Sequence, residues 1–273
     1  MIKNIFLALT LTSLSLFAYS DSDMDGVEDK TDQCPNTSFT ELVDINGCSI
    51  ESLEYPHHFD VIVGLNYSQT NYETNEKTDT FTKSVQLDYY YKDFSIQANT
   101  AHYNSDSNTY NDSGMNDSFL GAYYKLEPID SATIRLGGGI IFPSYDSDLK
   151  NNNTDYTASL NLSYMLKNIN LFGGYSYTII NDDDVHTTAM TVEYQNTNAY
   201  NLGLGFYPTS KLYVSGAYNS SDSIYKGVES IDTASVNAFY TIDKNWFTIF
   251  NYAYGLSDSA SDNDITVSVG YYF

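Results

Sequence analysis

The chain has 273 residues and a formal charge of −23, from 12 Lys+Arg against 35 Asp+Glu. Its mean hydropathy is negative, yet 15% of it is aromatic and 27 residues are Tyr. So acidic a chain does not bind a nucleic-acid backbone by charge, and so many rings exclude a disordered chain. No run after the N-terminus is long and apolar enough to span a membrane as a helix.

Residues 1–20 have the three parts of a secretory signal peptide. Lys3 supplies the positive start, Ile5 to Phe17 the short apolar core, and Ala18-Tyr19-Ser20 the small residues a signal peptidase reads. Cleavage is expected after Ser20, with Ala18 as the second choice. The mature chain is expected outside the cytoplasm, where disulfides persist.

The next segment, residues 21–48, opens Asp21-Ser22-Asp23-Met24-Asp25-Gly26-Val27-Glu28-Asp29-Lys30-Thr31-Asp32. Counted from Asp21, oxygen ligands fall at the offsets of a calcium loop: Asp21, Asp23, Asp25, the Val27 carbonyl, Asp29 and Asp32. Gly26 supplies the sharp turn. The twelfth position is Asp32 rather than a bidentate Glu, and no helix follows. Instead come Cys34-Pro35 and Val43-Asp44…Gly47-Cys48. These residues together resemble a thrombospondin type 3 repeat, over about a tenth of the chain. The resemblance implies calcium held by the acidic side chains and a disulfide between Cys34 and Cys48. Calcium is expected to be structural, because a segment with so few apolar residues cannot fold by burial.

A linker, residues 49–58, leads to residues 59–273, where the pattern changes. Ile265, Val267, Val269, Tyr271 and Phe273 alternate with Thr266, Ser268, Gly270 and Tyr272. The same period of two runs through Tyr156 to Leu166 and through Tyr200 to Phe206. Period two means strands with two chemically different faces. Every second connection is short: Lys92-Asp93, Glu127 to Ser131, Lys167-Asn168, Pro208 to Lys211 and Asp243 to Asn245. The others are long and acidic or Asn-rich, such as Asn104 to Asn116 and Asp146 to Asp155. Short turns alternating with long loops mark a bacterial outer-membrane barrel. Tyr89, Tyr91, Tyr123, Tyr124, Trp246, Tyr252 and Tyr254 are placed where an interfacial girdle would sit. The ending Val269, Tyr271, Phe273 resembles the C-terminal strand of outer-membrane barrels, which implies recognition by the barrel assembly machinery.

The expected fold is therefore all-β: an antiparallel transmembrane β-barrel with a small N-terminal calcium-binding module. About twelve strands are expected, centred on Val63, Leu87, Gln97, Ala122, Leu136, Leu160, Gly173, Leu204, Val214, Val236, Tyr252 and Val269. Val185 to Asn196 reads as part of one long strand projecting above the membrane. Were it a further hairpin, the count would be fourteen. On this register the inner face is mostly small and neutral, for example Gly64, Asn66, Gln97, Gly137, Asn161, Gly203 and Ser268. Four charges also face inward near the periplasmic end: Asp60, Asp88, Lys125 and Arg135. They form either a charge constriction or mutually neutralising ion pairs, and matched signs favour the pairs. The acidic loops, with Glu73/Glu76, Asp146/Asp148 and Asp182-Asp183-Asp184, read chiefly as a hydrated surface that also attracts cations.

The leading expectation for function is a passive porin-like channel for small solutes in a bacterial outer membrane, with the calcium module on the periplasmic side. The alternative is an outer-membrane anchor whose calcium module contacts cell wall or a periplasmic protein. A barrel phospholipase is a third reading, with His102 facing lipid near the external rim, but no Ser/Asn signature accompanies it and no enzyme is expected. His57 and His58 fall in the linker and His186 in a loop, and two adjacent ligands do not make a metal site. The expected partners are outer-membrane lipid and the assembly machinery, with no nucleic acid.

Overall fold

The computed structural model describes residues 21, 23, 27, 29, 31–34, 37, 43, 46–49, 57–71, 76–109, 111–145, 152–187 and 191–273. The signal segment, Asp25, most of the linker, and the loop positions Glu73, Asp146, Asp148 and Met190 lie outside the described residues. The chain divides into two compact units, residues 1–51 and 52–273.

The first unit is tied by a disulfide, Cys34 to Cys48, with Cα atoms 4.8 Å apart. Gly47 lies at φ 75°, a left-handed backbone that favours glycine, in the turn before Cys48. Gln33 N donates to Asn46 O at 2.7 Å, and Val43 bridges Ser49 in antiparallel fashion. The Thr37 hydroxyl reaches the Cys34 and Gly47 carbonyls, each at 2.8 Å. Among the described residues of this unit, short polar contacts surround one covalent link.

In the second unit, alternating apolar and small polar residues form long strands: β1 (His57–Thr70), β2 (Thr78–Tyr91), β3 (Phe94–Asp106), β4 (Asn111–Met115), β5 (Ser118–Ile129), β6 (Ala132–Phe142), β7 (Asp155–Leu166) and β8 (Ile169–Ile179). After the short pair β9 (Val185–His186) and β10 (Thr191–Val192) come β11 (Thr197–Thr209), β12 (Leu212–Ser221), β13 (Ile231–Thr241), β14 (Trp246–Gly255) and β15 (Asn263–Tyr272). Consecutive wall strands pair antiparallel, and β1 pairs β15 with Asp60 opposite Tyr272 and Gln69 opposite Asn263, which closes the sheet. β4 and β5 both pair with β3 and form one interrupted strand, so the wall is a closed barrel of twelve. All twelve predicted strand centres fall within wall strands. Closure leaves the wall without an edge strand.

The structure corrects several boundaries. β1 begins at His57, so His57 and His58 belong to the wall rather than to the linker, paired with Tyr91 and Tyr90. The His58 ring stacks on Tyr90 at 4.4 Å and on Tyr272 at 4.6 Å, which explains the early start. Two turns are shorter than expected. The strands run through Pro128 and Pro208 because each lies in a register shift, Leu126/Ile129 and Phe206/Thr209, where no ladder N–H is required. The expected loop Asn104 to Asn116 is mostly a hairpin extension, since β4 pairs His102 to Asp106 of β3. Val185 to Asn196 neither lengthens β11 nor enters the wall: β9 and β10 pair only with each other. In the two-residue turns, Lys92 (φ 51°) and Lys167 (φ 58°) take the left-handed conformation that tight hairpins demand.

Candidate functional site: the lumen

The barrel is inside-out in its hydrophobicity. Among the described residues only Met165 and Ala260 are buried apolar side chains, whereas Leu202 is 70% exposed and Val63 53%. The pairing register puts Val61, Val63, Leu65, Val85, Leu87, Leu202, Leu204, Val267 and Val269 on the outer face. So continuous an exposed apolar belt is the signature of a surface solvated by lipid. Outward rings bracket it, for example Tyr156 and Tyr164 on β7 and Trp246 and Tyr254 on β14. Eight residues at about 3.4 Å each, tilted about 40°, separate the rings by about 21 Å, close to the roughly 25 Å apolar band of outer-membrane barrels. Tyr123, expected in this girdle, faces inward instead, because its register partners Ser95 and Gly137 are inward positions.

His102 faces outward in register with Lys83 and Met115, neither of them a nucleophile or an orienting carboxamide.

Inside, the small residues have a role that the sequence concealed. Inward aromatic rings fill the space beside glycines of their own or the neighbouring strand. Phe119 covers Gly121 and Gly139, Tyr123 covers Gly137, Phe172 covers Gly203, Tyr213 covers Gly205 and Phe247 covers Gly270. These glycines are seats for rings that reinforce the wall, whereas Gly64 and Gly174 face Ser and Asn side chains. Lateral hydrogen bonds join inward polar side chains. Asn66 Nδ2 donates to Asp264 at 2.9 Å, Asn219 Nδ2 to Ser235 Oγ at 3.0 Å, and Asn170 Nδ2 to Tyr213 Oη at 3.1 Å. A cavity of about 480 Å³ remains, lined by Arg135, Tyr123, Ser159, Asn161, Asn201 and Asn219 among others.

The four predicted inward charges all lie on inward positions, but no ion pair joins them to each other. Asp60 is the register partner of Asp88, two carboxylates side by side. Asp88 accepts a hydrogen bond from Gln86 Nε2 at 2.7 Å, and Asp60 Oδ1 is buried without a hydrogen-bond partner. Arg135 lies over the Tyr123 ring at 3.9 Å and donates to Ser95 Oγ at 3.2 Å. Lys125 pairs with Glu127 at 3.0 Å. Each base thus has a local partner, and Arg135 is also within electrostatic reach of Asp88. The register adds Asp112, Asp155 and Asp264 as inward acids, which the sequence reading missed because they sit at the loop ends of their strands.

The acidic loops are also more ordered than a hydrated coat requires. Asp117 Oδ1 accepts from Tyr145 N at 2.9 Å, Asp182 Oδ1 from Asn153 N at 2.7 Å, and Asp155 Oδ1 from Asn181 N at 2.7 Å. These carboxylates cap one another's loops. Asp222 accepts from both Asn198 N and Asn198 Nδ2, at 2.9 and 2.7 Å, and these bonds hold its carboxyl below the usual carboxylate range. A depressed folded value means that the contribution is complete above the unfolded pKa of about 3.9 and is lost as pH falls through the folded one. A carboxyl NMR titration is expected to show a low midpoint for Asp222 that rises in Asn198→Ala.

In the N-terminal unit, Asp23 Oδ2 accepts from Thr37 N and Asp32 Oδ1 from Cys34 N, each at 2.8 Å. Carboxylate and carbonyl oxygens are the donor type that a hard cation takes. Asp21, Val27 and Asp29 are described as well, and Asp25 is not.

No family model and no curated protein matches the chain. The likeness is structural. An outer membrane channel from Pseudomonas putida F1 aligns with a TM-score of 0.65 at 11% identity, covering 82% of this chain and 97% of that one. The NanC porin aligns with a TM-score of 0.53 at 15% identity, covering 78% and 98%. The KdgM porin, solved in complex with disordered oligogalacturonate, aligns with a TM-score of 0.50 at 11% identity, covering 76% and 98%. Identities this low show the fold alone, a closed twelve-stranded antiparallel barrel.

Proposed function

We propose that the chain forms a passive, porin-like channel for small solutes in a bacterial outer membrane. The observation that carries this reading is the polar cavity inside a closed wall whose outer face is an apolar belt between two aromatic girdles. On regular inward positions Asp60, Asp88, Asp112, Asp155 and Asp264 outnumber Lys125 and Arg135, so small cations and neutral polar solutes are favoured over anions. Planar-bilayer recording is expected to give steady conductance with cation preference, weakening at high salt as screening sets in. Arg135→Ala should shift the reversal potential further toward cations and raise the conductance, because it removes the one charged residue lining the cavity. Unchanged size and ion preference would remove Arg135 from selection, and silence of the wild type would remove the channel.

The short-turn end of the barrel, where β1 starts, is read as periplasmic, and the N-terminal unit with it. Its acidic loop, Asp21, Asp23, Asp25, Val27, Asp29 and Asp32, is read as a structural calcium site. Support comes from the oxygen donors and from the small number of apolar residues in the segment. Calcium titrated calorimetrically into the full chain should give heat that Asp25→Asn abolishes. The outward Val269, Tyr271 and Phe273 present the face read as the assembly signal, with Tyr271 and Phe273 rings 4.7 Å apart. Phe273→Ala should lower the yield of barrel in outer-membrane fractions. Should bilayers stay silent while the N-terminal unit binds cell-wall material with calcium, the anchoring role takes the channel's place.

A further inference from the structure

Between β8 and β11 the chain forms a small ribbon that the channel reading does not use. β9 and β10 pair Val185 with Val192 and His186 with Thr191. Continuing that register one step sets Asp184 opposite Glu193. Alternate residues of a ribbon share a face, so Asp184, His186 and Glu193 lie on one side and Val185 and Val192 on the other. The ligand atoms of these three side chains all lie within 4.8 Å of one another, the single such group among the described residues. All three side chains are exposed.

The face is held in shape by its surroundings. Asp184 Oδ1 accepts from Tyr194 N at 2.7 Å, which orients the carboxylate and leaves Oδ2 outward. Gln195 N donates to Ile224 O and Lys226 N to Glu193 O, each at 2.8 Å. The Tyr194 and Tyr225 rings pack at 5.3 Å, so the ribbon and the β12–β13 connection form one braced structure. Lys226 Nζ stands 3.9 Å from Asp184 Oδ2 and 3.6 Å from Glu193 Oε2. Both distances exceed a direct hydrogen bond, so the ammonium is a loose counter-ion held by charge alone. The site already draws a cation to the position between its two carboxylates.

We propose that this face binds a first-row divalent cation of the zinc type, with His186, Asp184 and Glu193 as ligands and Lys226 displaced into solvent. The imidazole decides the class of metal: it suits zinc, nickel or copper and is a poor ligand for calcium or magnesium. Two carboxylates neutralise the ion, and three protein ligands leave room for water. Ligand atoms around a tetrahedral zinc lie about 3.4 Å apart, so rotation of exposed side chains closes the site without moving the backbone. The long Lys226 stem lets its ammonium leave. Bound metal would lock the ribbon, and through its bracing the β12–β13 connection, into one arrangement.

Zinc chloride titrated calorimetrically into the full-length folded barrel in detergent tests this. His186→Ala should weaken the binding by about tenfold or more, at least the effect of losing an outer-shell partner. Lys226→Gln should tighten it, because the resident cation is gone. The double variant His57→Ala/His58→Ala should leave it unchanged, and heat-modifiable gel mobility confirms that each variant is folded. An isotherm that His186→Ala does not alter overturns the proposal. So does binding that Lys226→Gln weakens, or binding lost only when His57 and His58 are replaced.

Discussion

A valine at Gly203 is expected to destabilise the barrel by about 3 kcal/mol, the upper part of the range for overpacking. A Cβ there would stand 2.6 Å from the Gly216 carbonyl oxygen and against the Phe172 ring. The ring can rotate, but the carbonyl belongs to the neighbouring wall strand and cannot retreat without pulling β12 out of register with β11 and β13. Phe172→Ala in the same chain should therefore recover only part of the loss. Gly138 is the matched control: it faces outward, and a Cβ there meets only the Thr157 carbonyl at 3.7 Å, so Gly138→Ala should be near neutral. Urea unfolding in detergent or liposomes, read by the heat-modifiable band, measures all three. If Gly203→Val lies within about 0.5 kcal/mol of wild type, the glycine is not a seat for the ring.

Loss of the Cys34–Cys48 link has a comparable expected size on a much smaller unit. The loop spans 14 residues, for which the chain-entropy model gives about 3 kcal/mol. No buried apolar side chain occurs among the described residues of that unit, so the penalty has little to offset it. Cys34→Ser/Cys48→Ser is expected to make residues 21–48 susceptible to limited proteolysis while the barrel keeps its heat-modifiable mobility. A variant whose N-terminal unit resists protease as the wild type does would show that polar contacts such as Thr37 to Gly47 suffice.

Much of the wall was legible because its signal is local. A strand with one face toward lipid and one toward a polar lumen must alternate, and Ile265 to Phe273 alternates residue by residue. Two-residue turns such as Lys92-Asp93 and Lys167-Asn168 announce themselves between such runs. Inward positions such as Asn66, Ser163 and Ser268 followed from parity alone. The prolines misled, because Pro128 and Pro208 look like turn residues unless a bulge is known to excuse the missing N–H.

Parity assigns a face but not a neighbour. That Phe172 seats on Gly203, 31 positions away, depends on the β8–β11 register. That Arg135 lies over Tyr123 and reaches Ser95, 40 positions away, depends on the β5–β6 and β3–β5 registers. The same holds for the acidic loops, whose carboxylates cap backbone N–H groups of other loops. It holds again for Asp184, His186 and Glu193, brought to one face of a ribbon that the hydrophobic pattern read as a strand extension. The sequence by itself determined a two-faced β-wall, because alternation is written in short-range periodicity, and the resemblance to a thrombospondin type 3 repeat implied the Cys34–Cys48 clasp. Only the tertiary structure decided which small residues are empty space and which are seats, and which charges meet, because those contacts join residues tens to hundreds of positions apart.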